Sequence, residues 1–111
     1  MSWKLKEKID SLLSKEQGTV YKDPGGKTNI ALVYPNIYHV GMSNLGFQGI
    51  YGLLNKMDDV VCERLFLPDE EDMEEYVRTD TELFTMESKR TLGHFDIIAF
   101  SVSFENDYPN I

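Results

Sequence analysis

The residues best equipped for chemistry crowd one short junction. Asn36, Tyr38, His39, Met42, Ser43 and Asn44 lie between an apolar run ending at Tyr34 and a glycine-studded run starting at Leu45. Amides, hydroxyls, an imidazole and a thioether at that spacing suit ligand contact rather than covalent chemistry. Neither His39 nor His94 has a recognisable catalytic partner in sequence, and no nucleophile elbow is present. Ser43 and Asn44, with the first amides of a following helix, could hold an anion at the helix N-terminus. Ser43 acting simply as the N-cap of that helix is the stronger single reading of that residue. A second polar set, Ser101, Ser103 and Glu105 followed by Asn106 and Asp107, closes the apolar stretch FDIIAFSVSF.

These two sets need strands to bring them together. Asn29 to Tyr34 is β-rich and ends at Pro35, which has no amide for a ladder. Phe47, Ile50, Tyr51, Leu54 and Met57 recur at helical spacing, which predicts a helix over about 45–56. Val60 to Leu67, VVCERLFL, predicts a second strand. Phe95 to Phe104 predicts a third, whose apolar start suits a parallel sheet covered on both faces. In such sheets ligands bind outside the carboxyl ends of the strands, so the two polar sets border one crevice if their strands are neighbours.

Elsewhere, Trp3 to Lys15 reads as an amphipathic helix with Leu5, Ile9, Leu12 and Leu13 on one stripe, ended by Gly18. Thr19 to Tyr21 and Lys27 to Tyr34 flank the turn signal Asp23-Pro24-Gly25-Gly26, as an arm or hairpin would. Pro68 and Asp69 open a further helix with Met73, Tyr76 and Val77 on its inner side. Leu83 to Glu87 reads as another short strand. The fold class is α/β, a Rossmann-like (flavodoxin-like) parallel sheet with flanking helices, with residues 1–28 as N-terminal helix and arm and 29–111 as the sheet domain.

Glycines in the second helix each cost about 1 kcal/mol relative to alanine. Gly46 falls in the apolar stripe and is expected to let helix and sheet approach. Gly49 and Gly52 bare a strip of backbone for a ligand or second domain, unless they are merely tolerated. Gly41 and Gly46 have a P-loop gap, but Phe47 and Gln48 stand where Lys and Ser or Thr are required, and no GxGxxG occurs.

The chain has 111 residues and is 41% hydrophobic, as for one globular domain. Its net charge of −8 argues against nucleic acid, which is bound through lysine and arginine. Six of the nineteen acids lie between Asp69 and Glu75; removing six charges from −8 leaves −2. Such a run reads as a solvated helix face, and it lacks the alternation and central glycine of a calcium loop. Cys62, the single cysteine, reads as a buried core residue in a reducing compartment. No run reaches transmembrane length and the start is charged, so no membrane association and a cytoplasmic location are expected.

Taken together, ALVYPNIYHVGMSNLGFQGIYGLLN, VVCERLFLP and FDIIAFSVSFENDYPNI resemble the N-terminal region of radical SAM proteins of the cobalamin-binding-domain type. The resemblance covers about residues 30 to 111. It implies a Rossmann-like domain preceding a radical SAM barrel, and the barrel would carry a [4Fe-4S] cluster and S-adenosylmethionine. It also implies that Asn36, Tyr38, His39, Met42, Ser43, Asn44, Ser101, Ser103 and Glu105 line a site for cobalamin or part of a substrate.

Two features depart from that pattern. There is no CxxxCxxC, and Cys62 alone cannot ligate a cluster, so the chain is expected not to be catalytic by itself. There is no DxHxxG, because Ile37 stands where aspartate would precede His39. A helix is expected to begin near Tyr108-Pro109-Asn110, so the domain reads as truncated at Ile111. The implied partners are the radical SAM domain and, through an exposed last strand, a second copy of the chain. A non-catalytic docking module is the alternative to the cofactor-binding accessory domain.

Overall fold

The computed structural model describes residues 3–101. Elements follow in the order α1 (Trp3–Ser14), β1 (Thr28–Tyr34), α2 (Tyr38–Met42), α3 (Leu45–Asn55), β2 (Val60–Phe66), α4 (Glu70–Arg78) and β3 (Ile97–Phe100), with a 3-10 turn at Leu92–His94 before β3. The three strands form one parallel sheet in the order β2-β1-β3. This is the expected α/β architecture, an open parallel sheet with flanking helices.

β1 is central because its sequence lets it be. Six consecutive residues, Asn29 to Tyr34, are buried, as a strand covered on both faces requires. Its register runs from Thr28 opposite Val60 to Tyr34 opposite Phe66 on one side, and from Ile30 opposite Ile97 to Val33 opposite Phe100 on the other. Alternate residues project to one face, where Ile30, Leu32 and Tyr34 meet Val60, Cys62 and the α3 side chains Phe47 and Tyr51. Tyr34 meets Phe47 edge to face at 5.3 Å between centroids. A smaller cluster of Leu5, Tyr76 and Phe84 joins α1 to α4.

Several local expectations are corrected. Thr19 to Tyr21 forms no strand, so the segment before β1 is an arm rather than a hairpin. The Val20 amide donates instead to the Tyr51 hydroxyl at 2.9 Å. The turn at Asp23 to Gly26 does form, with the Gly25 amide on Asp23 Oδ1 and Gly26 at φ 72°. Leu83 to Glu87 makes a single antiparallel bridge, Phe84 to Thr91, and one hydrogen bond to the β2 edge from the Met86 amide to the Arg64 carbonyl. On α4 only Tyr76 is buried, while Met73 and Val77 face solvent, since α4 packs onto α1 rather than onto the sheet.

β3 departs most from expectation. Residues 97–100 form the strand, and Ile97, Ile98 and Phe100 are about half exposed instead of covered. β3 is the outermost strand, and among the described residues nothing pairs with its outer side.

Candidate functional site

β1 and β3 run parallel and adjacent, so their carboxyl ends share one rim of the sheet. The Ser101 amide donates to the Val33 carbonyl at 2.9 Å, which places the start of the second polar set beside the end of β1. Ser103 and Glu105 lie outside the described residues. The loop after β1, however, leans the other way. The Leu67 amide donates to the Asn36 carbonyl at 2.9 Å, tying the loop to the end of β2. Asn36 Oδ1 accepts from the Ile37 amide at 2.8 Å and so holds the turn.

The loop's other side chains follow that lean. Tyr38 packs edge-on against Phe66, 5.3 Å between centroids, and its hydroxyl donates to the Glu16 carboxylate. Burial, then the neighbouring Glu16 charge, push the Tyr38 phenol upward. His39 is exposed, with its ring edge-on to Tyr38 at 5.2 Å. Met42 Sδ accepts from Arg64 Nη1 at 3.5 Å. Ser43 is not the cap of α3: its hydroxyl donates back to the Val40 carbonyl, and its helical φ −85°, ψ −2° closes α2. Asn44, extended at φ −93°, ψ 109°, is the cap and accepts from the Phe47 amide at 2.9 Å.

Gly41, rather than Gly46, permits the close approach in this region. A Cβ on Gly41 would lie 2.2 Å from Phe66 Cε1, whereas one on Gly46 would meet only the side chain of Asn44. Phe66 is itself held among Tyr34, Tyr38 and Phe47, so α2 can cross the end of β2 only with a bare backbone.

Beneath the loop lies a charged network that the sequence reading missed. Arg64 Nη1 and Nη2 donate to Glu16 Oε2 and Oε1 at 3.0 and 2.8 Å, and Nε donates to Glu87 Oε2 at 2.7 Å. Its guanidinium also lies 4.6 Å over the Tyr51 ring. Burial opposes ionisation of Glu16, but hydrogen bonds from Arg64, Thr19 and Tyr38 outweigh it and hold this carboxyl below its ordinary value. Burial dominates at Glu87 and pushes its carboxyl up despite Arg64. Adjacent Glu63 points to the opposite face and accepts from Thr85, Ser88 and Arg90. The available signal was a Glu-Arg pair inside an otherwise apolar strand, since buried charges occur when paired.

Chemically, the network is saturated. Every buried side-chain polar atom among the described residues has a partner. Cys62 is buried, and burial followed by the Glu87 charge pushes its thiol up to about 12. No group of histidines, cysteines or acids among the described residues could hold a metal. A cavity of about 90 Å³ borders Tyr38 and His39 on the α1 side, and one of about 200 Å³ lies between Thr19, Tyr51, Gly52 and Arg64.

The open surface is on α3. Leu45 is 83% and Leu53 62% exposed, with Ile50 and Met57 beside them. Gly49 lies between these residues, and a Cβ there would meet nothing within 4 Å. At helical spacing these residues share the side of α3 turned away from Phe47 and Tyr51.

No helix among the described residues is long and apolar enough to cross a membrane. No match was found among the curated proteins or the solved structures. The family model described as the N-terminal region of radical SAM proteins matches residues 46–111, more than half of the chain, and takes in α3, β2, α4 and β3. β1 and the Asn36 to Asn44 loop precede the matched segment. With an open parallel sheet and this match over most of its elements, the chain belongs to the family formed by the N-terminal regions of radical SAM proteins.

Proposed function

We propose that this accessory domain is non-catalytic and docks the catalytic domain of a radical SAM protein through the outer face of α3. The observation that carries the reading is the pairing of two strongly exposed leucines, Leu45 and Leu53, around the bare backbone of Gly49. Clustered exposed apolar residues mark interaction surfaces. A glycine between them lets a partner backbone come closer than any side chain would allow.

Cofactor binding has weaker support. A [4Fe-4S] cluster needs several thiolates, and the chain has one, which is buried. In this reading the cluster and S-adenosylmethionine belong to the catalytic domain. Cobalamin does not fit the described residues either: Tyr38 and Met42 are engaged by Glu16 and Arg64, and the loop borders about 90 Å³, against the roughly 300 Å³ or more of ordinary ligand pockets. The loop from Asn36 to Asn44 then serves to brace α2 and α3, with exposed His39 free to touch the docked domain.

The test is titration calorimetry of the chain against a separately produced radical SAM catalytic domain, carrying the three-cysteine cluster motif, from the same organism. Binding that weakens at least tenfold in Leu45→Asp and Leu53→Asp is expected. Absence of binding at tens of micromolar, or binding indifferent to both changes, would overturn the reading. Hydroxocobalamin that co-elutes with the chain and changes its visible spectrum would restore the cofactor role.

A further inference from the structure

The outer edge of β3 is a second open surface, on a different element from the docking face of α3. Register partners in a parallel sheet project to the same side, so Ile97 and Ala99 share the face of Ile30 and Leu32, and Ile98 and Phe100 share that of Ala31 and Val33. Ile97 is 48%, Ile98 44% and Phe100 53% exposed, so the edge strand is apolar and open on both faces. An edge of that kind is a template for pairing with another strand.

We propose that a second copy of this chain fills that edge, joining the two sheets through antiparallel β3 strands. Charge favours this edge. The chain carries −8, but six acids lie on the Asp69 to Glu75 run around α4, which follows β2 at the other edge and is bound to α1 through Lys8. Between Thr91 and Ser101 the only acid is Asp96, and its carboxylate is taken up by the Asn29 amide at 2.8 Å. Two copies meeting at β3 therefore keep their acidic runs apart. The ten residues after Ser101 make a poor competitor in sequence terms, because Pro109 has no amide to donate and Glu105 and Asp107 carry charge.

Symmetry selects the register. A two-fold axis normal to the sheet pairs the strands antiparallel and keeps each face on its own side, so opposed residues must come from the same face. The axis then passes through Ile98 or Ala99. Centring on Ile98 sets Asp96 against Phe100. Centring on Ala99 sets Ile98 against Phe100 twice on one face, and Ile97 against Ser101 on the other. The second arrangement buries the exposed apolar groups against one another and leaves Asp96 with Asn29.

The contact is small, at the weak end of specific interfaces, so affinity in the tens of micromolar is expected. Sedimentation equilibrium of the full chain should show a mass rising from 12.8 kDa toward twice that value over the micromolar to several-hundred-micromolar range. Phe100→Lys and Ile98→Thr should each weaken the dimer at least tenfold while leaving the far-ultraviolet circular dichroism unchanged, and Leu53→Asp should leave dimerisation intact. Under mild oxidation Ala99→Cys should form a disulfide-linked dimer, because opposed antiparallel residues lie within disulfide reach, and Ile97→Cys should not. A chain that stays monomeric at several hundred micromolar overturns the proposal, as does a dimer lost in Leu53→Asp but kept in Phe100→Lys. Faster cross-linking of Ile97→Cys than of Ala99→Cys overturns the register.

Discussion

Arg64 and Glu16 face each other through two parallel hydrogen bonds, 3.0 and 2.8 Å, although 48 residues separate them. Both side chains are almost fully buried, at 3% and 6% exposure. This pair clamps the arm after α1 onto β2, and Glu87 holds the other side of the same guanidinium.

Removing one member of a buried pair leaves a charge without compensation, which costs about 3–5 kcal/mol. Arg64→Leu is expected to lose about that much in urea unfolding, because it strands Glu16 and Glu87 together. Glu16→Gln should cost less, since Glu87 still pairs with Arg64. A loss below about 1 kcal/mol for Arg64→Leu would show that the clamp does not hold the arm.

The two acids respond to pH with opposite sign. Glu16 is held below its ordinary 4.5, so its stabilisation is present above that value and fades as pH falls through the lower folded value. Glu87 is raised above 4.5, so its contribution is complete below 4.5 and fades as pH rises through the higher folded value. Glu16→Gln should flatten the acid side of the stability profile, and Glu87→Gln the side above 4.5. Thermal melts across pH 3 to 8 (about the range over which carboxylates titrate in proteins) would read both. An unchanged profile in either variant would count against the corresponding assignment.

Gly41 and Gly49 should respond in opposite directions to alanine. At Gly41 the new methyl collides with Phe66, whose ring is packed on several sides, so overpacking of about 1–3 kcal/mol is expected. At Gly49 the space is open, and alanine should stabilise the helix by about 1 kcal/mol. The same Gly49→Ala change should weaken binding of the catalytic domain. Unfolding midpoints of the two variants, measured side by side, settle the first pair of expectations, and calorimetry the last.

Much of the architecture was legible in one dimension. The strands beginning at Thr28 and Val60, the helix from Leu45 and the helix capped by Asp69 follow from short-range patterns of burial and capping, which sequence carries directly. The neighbouring, parallel placement of β1 and β3 also agrees with the expectation that their carboxyl ends share a rim. Among the candidate loop residues, however, side-chain direction was not legible. Ser43 and Asn44 are both good caps, and the choice fell to backbone angles imposed by α2 closing over Phe66.

Residue order alone determined the α/β class, the apolar strands, the buried cysteine and the absence of a cluster-binding triplet, because each depends on residue type or on neighbours within a few positions. Tertiary structure alone decided that Arg64 meets Glu16, that Gly41 rather than Gly46 admits a ring, and that β3 lies at an open edge. Those outcomes depend on which distant segments pack together, and local periodicity carries no record of that choice.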